Sequence, residues 1–191
     1  MPSTEKQKML AGELYTASDP ELQACQAAAQ AWQAHYNQSV TLTAGQRLVL
    51  LRKLLAEVGD DTVVRSPFHC DYGFNIRLGR GVFINFNCVV LDVTAVEIGD
   101  MTHIGPGVQI LTADHPREAA VRAQGLEFGR PIRIGQQVWI GAAALVLPGV
   151  TIGDGAIIGA GSIVTRDVPA GATVVGQPAR VLPRPPASLH T

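Results

Sequence analysis

The side chains best suited to moving protons at neutral pH are the five histidines of this 191-residue chain, because imidazole titrates close to pH 7. His190 lies in a proline-rich C-terminal segment and His35 in a helical N-terminal region. His69 and His103 precede or belong to a regular repeat. His115 alone lies in an interruption of that repeat, among polar and charged residues. We therefore predict that His115 is a general base.

The three cysteines, Cys25, Cys70 and Cys88, indicate neither a disulfide framework nor a zinc site. Their number is odd, and they lack the close paired spacing of zinc thiolates. No motif around Cys70 or Cys88 is typical of a nucleophile. We expect reduced thiols in a cytosolic protein and no covalent enzyme intermediate.

The elements that must position these residues follow a period of six. From Ile134 to Ala170 an aliphatic residue or alanine occupies every sixth position, usually followed by glycine, and the same spacing appears earlier from Leu78 onward. Six fits neither the 3.6-residue turn of a helix nor simple strand alternation, but it is typical of a parallel β-helix. Three repeats make one triangular coil, with the aliphatic side chains inside, and about five coils fit between Leu78 and Val175.

Trp139 lies between two residues that the repeat turns inward, Val138 and Ile140. Alternation along the strand therefore directs the indole ring outward. A large apolar ring on an outer face calls for a partner, which is either another subunit or a flat ligand.

Small residues recur one coil apart, and the pairs are Gly141 with Gly159 and Ala142 with Ala160. Stacked at one corner, they would leave an open groove for a long, thin ligand, although glycine and alanine are also needed at corners for the turns themselves. Thr165, Arg166 and Arg180 follow this groove. The arginines suit phosphate groups, because guanidinium forks match phosphate oxygens.

The change of pattern along the chain predicts three regions. Residues 1–58 are predicted to form an N-terminal α-helical cap, and residues 59–175 the parallel β-helix, which is an all-β core of hexapeptide repeats. Residues 113–130 break the period, so we expect them to extrude as one loop, where functional residues often lie. Residues 176–191 are predicted to form a C-terminal tail, because the prolines from Pro183 onward cannot continue a coil.

Composition excludes several classes of protein. Charged residues make up 16% of the chain, against roughly 25% in an ordinary soluble domain. No apolar run is long enough to span a membrane, and no signal peptide is predicted. The net charge of −1 and the pI near 6.5 argue against binding nucleic acid through bulk phosphate attraction. We expect a cytoplasmic protein with neither a membrane nor a nucleic acid as partner.

Over residues 4–184 the chain resembles the maltose and galactoside O-acetyltransferases, a branch of the hexapeptide-repeat acyltransferases. The matching segments are EK (5–6), MLAGELY (9–15), FHCDYG (68–73), FINFNC (83–88), LDV (91–93), TADHP (112–116), VWIG (138–141), PGVTIGD (148–154), IGAGS (158–162) and GQPAR (176–180). Many acyltransferases share the repeats, whereas the N-terminal segment and the segment around Asn85 are specific to this branch.

The resemblance implies a left-handed β-helix, a homotrimer with active sites between subunits, and acetyl-CoA as donor with no metal required. It implies that His115 is the catalytic base. Asn85 and Asp92 match acceptor-binding positions, and Asp71 stands where the galactoside branch has serine. The positions implied to line the CoA groove are Trp139, Gly141, Ala142, Ala160, Thr165, Arg166 and Arg180.

Several residues depart from the family pattern. Asp114 stands where threonine or glycine is usual, and Arg166 replaces a commoner lysine while keeping its charge. Pro183 occupies the place of a second basic residue, although a basic residue is adjacent. Ala17 stands where the galactoside branch has an acceptor-binding aspartate. Together with Asp71, this favours glucose-type sugars or maltose over galactosides.

The sequence therefore predicts acetyl transfer from acetyl-CoA to a sugar hydroxyl, by direct attack of the hydroxyl oxygen. One alternative is a non-sugar acceptor such as an antibiotic hydroxyl or serine. A zinc-dependent lyase of the same fold would need His69, His103 and His115 as ligands, but their spacing forms no recognisable ligand motif. A non-catalytic binding scaffold is a third alternative, which binding of acetyl-CoA would test. Asp114 and Glu127 are both candidates for orienting His115.

Overall fold

The computed structural model describes residues 3–39 and 41–183, and its core is a left-handed parallel β-helix with three faces. The first face contains Glu57–Val58, Ile76–Leu78, Val96–Ile98, Ile132–Ile134 and Thr151–Ile152. The second face contains Val63–Val64, Phe83–Ile84, His103–Ile104, Trp139–Ile140, Ile157–Ile158, Thr173–Gly176 and, antiparallel at its end, Ala179–Val181. The third face contains Phe68–Cys70, Cys88–Leu91, Gln109–Leu111, Leu145–Val146 and Ile163–Val164.

Two of the corners between faces carry the predicted site residues. We call the corner between the second and third faces the groove edge; it comprises residues 65–67, 85–87, 105–108, 141–144 and 159–162. We call the corner between the third and first faces the loop edge; it comprises residues 71–75, 92–95, 112–131, 147–150 and 165–167.

The six-residue period places aliphatic side chains in the interior, as predicted. Ile134, Ile140 and Val146 expose at most 3% of their surface, and the next three positions of the series at most 1%. The series fails only at its end, because Ala170 is exposed and the last contact to the first face is made by Val168, which pairs with Ile152. Glycines let the coils stack: a Cβ on Gly99 would lie 2.6 Å from the backbone nitrogen of Gln136 in the next coil.

Three helices form the N-terminal cap: α1 (Glu5–Ala11), α2 (Pro20–Gln38) and α3 (Ala44–Leu54). Side chains of α2 close the open end of the third face. Gln33 exchanges two hydrogen bonds with the backbone of Cys70, at 2.9 and 3.1 Å. Asn37, one turn later, does the same with Phe68, at 3.0 and 2.9 Å. Two amides thus satisfy backbone groups that would otherwise form an unpaired strand edge.

The segment that interrupts the period forms a hairpin. Its strands are Ala113–Asp114 and Leu126–Gly129, with the short helix α4 (Ala119–Arg122) between them. Tyr15–Thr16, which precedes α2, adds a third antiparallel strand by pairing with Leu126 and Glu127. The loop is therefore extruded as predicted, but the N-terminal segment also holds it, a long-range pairing that the sequence did not indicate.

The regional boundaries differ slightly from the predicted ones. The first strand of the β-helix, Glu57–Val58, lies within the residues assigned to the cap. At the other end, Ala179–Val181 pairs back onto Thr173–Gly176, so the predicted tail begins with ordered strand. The remainder of that tail, residues 184–191, lies outside the described residues, and His190 with it.

Candidate active site

His115 is exposed and directly follows the outgoing strand of the hairpin. Its backbone N–H donates to Oδ1 of Asp114 at 2.8 Å, and its carbonyl accepts from Nη1 of Arg117 at 3.1 Å. Within the part of the chain that the structure describes, the imidazole itself makes no hydrogen bond. Neither of the two candidate orienting residues, Asp114 and Glu127, forms a hydrogen bond with the ring.

Asp71 lies half-buried at the loop edge. Burial and the negative charge of Glu127 raise the pKa of the Asp71 carboxyl to about 6. Glu127 in turn accepts a hydrogen bond from the hydroxyl of Tyr15 at 3.1 Å. Asp71 lies at the wall of the β-helix and Glu127 on the returning strand of the hairpin, and the two are close enough for the charge of Glu127 to raise the pKa of Asp71.

Asp92 has a different role from the predicted one. Its exposed fraction is 0%, and its two carboxylate oxygens accept from four backbone N–H groups at 2.7 to 3.3 Å, those of Asp71, Tyr72, Gly73 and Asn75. Burial raises its pKa to about 7, against the opposing effect of these hydrogen bonds. A carboxylate enclosed in this way has no surface to offer an acceptor. Asp92 instead fixes the turn that carries Asp71, and the geometry gives no support to the predicted contact with an acceptor.

The groove predicted from small residues lies on the second face and the groove edge. It encloses about 450 Å³ and is lined by Asn85, Trp139, Gly141, Ala142 and Ala160, among others. The indole of Trp139 is 58% exposed, as the alternation predicted. Five of the predicted site residues therefore share one concave surface.

Two residues of this groove, Phe83 and His103, were missed by the sequence reasoning. They pair with each other, and His103 with Trp139, as neighbours in consecutive strands, so all three project from the same face. The rings of Phe83 and His103 meet edge to face, with centroids 6.0 Å apart. The signal that could have found them is their position directly before an inward isoleucine, Ile84 or Ile104, as Trp139 directly precedes Ile140.

Asn85 is half-buried at the groove edge. Its Oδ1 accepts from the backbone N–H of Phe86 at 2.9 Å, while its Nδ2 donates to no other described residue. The amide nitrogen is therefore the atom of Asn85 that can donate to a ligand.

Gly141 is explained largely by packing. A Cβ at this position would lie 2.5 Å from the backbone nitrogen of Ala160. Glycine is thus needed here for one coil to stack on the next. This agrees with the alternative explanation given above, in which the small corner residues serve the coil itself. The groove, rather than this glycine by itself, points to a ligand.

The predicted arginines come together at the C-terminal end of the β-helix. Arg166 and Arg180 both line a cavity of about 130 Å³, and Thr165 is exposed beside Arg166 at the loop edge. The two guanidinium charges are not fully neutralised within this cavity, because Asp167 is the one carboxylate among the lining residues. The pair of guanidinium groups can receive an anionic group such as phosphate.

The predicted site residues divide between two edges of the chain. Asp71, His115, Thr165 and Arg166 lie at the loop edge, whereas the groove residues lie on the second face and at the groove edge. The third face separates these two sets. One chain alone therefore does not place the imidazole beside the groove.

A concavity of about 490 Å³ on the first face contains none of the predicted residues. It is lined by side chains of alternating charge, including Glu57, Arg77, Glu97 and Arg133. The three histidines considered as zinc ligands lie on separate surfaces, and among the described residues no three His, Cys, Asp or Glu side chains converge as a metal site. No helix within residues 3–39 and 41–183 is long and apolar enough to cross a membrane.

Comparison with known proteins places this architecture among acetyltransferases. A family model described as the maltose acetyltransferase hexapeptide capping motif matches residues 8–59, and one described as bacterial transferase hexapeptide (six repeats) matches residues 131–166. The chain is 60% identical over 181 residues to nodulation protein L of Rhizobium meliloti (strain 1021), which covers 95% of this chain and 99% of that protein.

Two solved structures show the same fold over nearly the whole chain. A maltose O-acetyltransferase from Clostridium difficile 630 is 42% identical, with a TM-score of 0.92 and coverage of 94% of this chain and 96% of that chain. A galactoside acetyltransferase in complex with coenzyme A is 35% identical, with a TM-score of 0.90 and coverage of 95% and 91%. Both similarities include the helical cap as well as the β-helix.

Proposed function

The chain belongs to the maltose and galactoside O-acetyltransferase family, whose members use acetyl-CoA, and from that premise we propose that it acetylates a hydroxyl group of a sugar. His115 accepts the proton of the hydroxyl, and the oxygen attacks the thioester carbonyl. A C–O bond forms, the C–S bond breaks, and the proton passes to the leaving CoA thiolate. Placing the two substrates together supplies most of the rate, to which the base adds about 10²- to 10⁴-fold.

The buried thiols support direct attack over a covalent intermediate. Cys70 and Cys88 expose 8% and 1% of their surface. Burial raises the pKa of both thiols, which disfavours the nucleophilic thiolate at neutral pH. Cys25, the third thiol, contacts Lys6 in the cap and lies away from the groove.

We propose a homotrimer whose active sites lie between subunits. The base and the groove occupy different edges of one chain, so a second copy would bring the loop edge to a neighbour's groove. The outward residues also differ between faces: those of the second and third faces include Phe83, Trp139, Ile157, Leu145 and Ile163, whereas the first face is charged. Apolar outer faces favour contact with another copy.

We assign the groove to acetyl-CoA. Trp139 offers a flat ring, and Gly141, Ala142 and Ala160 leave room for the narrow pantetheine arm. Arg166 and Arg180 meet in a separate cavity at the C-terminal end of the β-helix, beside Thr165, where the guanidinium groups suit the phosphates of CoA. Analytical ultracentrifugation and isothermal titration of acetyl-CoA test the assembly and the groove separately.

For the acceptor we propose Asn85 and Asp71 as hydroxyl-binding groups, one from each edge. The amide nitrogen of Asn85 is free to donate, and the carboxylate of Asp71 can accept. Ala17 and Asp71 favour glucose-type sugars or maltose over galactosides. Release of free thiol from acetyl-CoA, measured side by side with maltose, glucose, galactosides and chloramphenicol, decides between sugar and non-sugar acceptors. A cytoplasmic location stays a prediction from the reduced thiols.

The observation that carries this proposal is the exposed imidazole of His115 on a backbone fixed at both its N–H and its C=O. We expect His115→Ala to lower kcat by about 10²- to 10⁴-fold while the Kd for acetyl-CoA stays nearly constant. His35→Ala is the matched control, because His35 is exposed on α2 and belongs neither to the lining of the groove nor to the hairpin. Near-normal turnover of His115→Ala would overturn the assignment.

A further inference from the structure

The carboxylate of Asp114, next to His115, accepts hydrogen bonds from two arginine side chains and one backbone N–H. Arg117 approaches it with two nitrogens, Nη1 at 2.8 Å from Oδ1 and Nη2 at 3.1 Å from Oδ2. Arg130 donates through Nη2 to Oδ2 at 3.0 Å, and the backbone N–H of His115 to Oδ1 at 2.8 Å. Only 9% of the Asp114 side chain is exposed, so these contacts are sheltered from solvent on the aspartate side.

These contacts act on the backbone of His115. Asp114 holds the N–H of His115, and Arg117, itself held by Asp114, donates to the carbonyl oxygen of His115. Arg122 then donates to the carbonyl oxygen of Pro116 at 2.9 Å. The polar backbone groups at and after His115 are therefore tied down, while the imidazole stays free for a substrate.

Arg130 connects this network to the rigid wall. Its own backbone N–H donates to the carbonyl of Thr112 at 2.9 Å, and its carbonyl accepts from Gly149 at 3.3 Å. Arg130 thus belongs to the point where the hairpin rejoins the β-helix. The ion pair from Arg130 to Asp114 fixes the start of the loop relative to its end.

We propose that Asp114, held by Arg117 and Arg130, is the positioning residue that sets the direction of His115 toward the acceptor hydroxyl, an inference that rests on the proposed role of His115 as base. Asp114 acts through the backbone of the next residue, and makes no contact with substrate.

The first test replaces the carboxylate. Asp114→Asn keeps an oxygen for the N–H of His115 but loses the charge that binds two guanidinium groups, whereas Asp114→Ala loses both. A misplaced reactive group costs up to about 100-fold, so we expect kcat to fall about 10- to 100-fold in Asp114→Ala and less in Asp114→Asn. The KM for acetyl-CoA should stay within about twofold, because the groove is on another edge.

The matched control is Glu97→Gln. Glu97 also pairs with an arginine, Arg133 at 3.2 Å, but on the first face. It should leave kcat unchanged. Arg130→Lys keeps one charged donor and should retain more activity than Arg130→Gln, which a purely steric role would not predict. If the KM for acetyl-CoA rose in Asp114→Asn by the same factor as kcat fell, a positioning role would be contradicted.

The decisive measurement combines variants. If Asp114 acts through His115, adding Asp114→Asn to His115→Ala should not lower the residual turnover further. An equal additional loss in the double variant would overturn the inference and leave a general structural role. Normal kcat in Asp114→Asn, with His115→Ala inactive, would refute this inference alone; full activity in His115→Ala would refute the proposed function itself.

Discussion

The wall of the β-helix and the hairpin loop are held together in different ways. In the wall, each strand pairs with the equivalent strand one coil away, and the same inward position is aliphatic again and again. In the loop, short strands depend on individual side chains, such as Tyr15 on Glu127 and Arg130 on Asp114. The wall is stabilised by repetition, and the loop by single long-range contacts.

This difference separates stability from placement. A repeated apolar interior stabilises every coil in the same way. The wall that carries the groove therefore does not depend on any single residue for its stability. The loop carries the imidazole, and a single altered hydrogen bond there can move it without unfolding the wall. We therefore expect wall variants to change the free energy of unfolding most, and loop variants to change local order and catalysis.

The largest effect on stability should come from truncating the wall. Ile152 is 1% exposed and lies in the interior next to Ile134 and Val168. Ile152→Ala removes buried methylene groups and leaves a cavity, so the free energy of unfolding should fall by about 2–5 kcal/mol. Denaturation by urea, followed by far-UV circular dichroism, measures the change.

Val121→Ala makes a comparable truncation in the loop, within α4, where the side chain is only half-buried. It should change the free energy of unfolding by less than about 1 kcal/mol. Equal losses in Ile152→Ala and Val121→Ala would show that the two regions do not differ as described.

The same contrast explains which parts of the structure could be predicted from the sequence. Period-six spacing was enough to predict the inward aliphatics and the outward ring of Trp139, because the coil repeats the same geometry. The pairing of Tyr15 with Glu127 has no period, since it joins residues far apart in the chain. Asp92 shows the same gap: its type and place in the family pattern indicated an acceptor contact, whereas its burial beneath a turn depends on a backbone path that no spacing encodes.

A smaller effect should follow from Tyr15→Phe, which removes the hydroxyl that donates to Glu127 at 3.1 Å. Losing one such hydrogen bond costs about 1 kcal/mol. The loss should appear locally, as faster amide hydrogen exchange in the returning strand Leu126–Gly129, with exchange in the wall strands unchanged.

Tyr36→Phe is the matched control for this prediction. Tyr36 is also buried, but its hydroxyl donates to the backbone of Val64 at 2.5 Å, in the first coil. Its removal should leave exchange in the hairpin as it is. If Tyr36→Phe loosened residues 126–129 as much as Tyr15→Phe, the hairpin would not depend on its own side-chain contacts.

The smallest effects should appear as opposite pH dependences of two carboxylates. Burial tends to raise the pKa of Asp114, but hydrogen bonds from Arg117, His115 and Arg130 outweigh it and hold the pKa below its ordinary value. Its stabilising contribution is therefore present above the ordinary aspartate range and is lost as the pH falls through the lowered pKa. Asp71 behaves in the opposite way: burial first, and the charge of Glu127 second, raise its pKa to about 6, so stability is lost as the pH rises through that value.

Urea denaturation between pH 3 and 8 separates the two groups. Compared with the unaltered chain, Asp71→Asn should become relatively more stable as the pH rises toward 7, because it no longer carries a buried charge next to Glu127, Asp92, Tyr15 and Tyr72. Asp114→Asn should become relatively less stable as the pH rises from 3 through the ordinary aspartate range, with no further change toward pH 7, because it lacks the charge that binds two arginines. Parallel pH profiles for both variants would mean that the wall and the loop treat a buried carboxylate alike, and that the ion pairs of Asp114 contribute nothing to holding the hairpin.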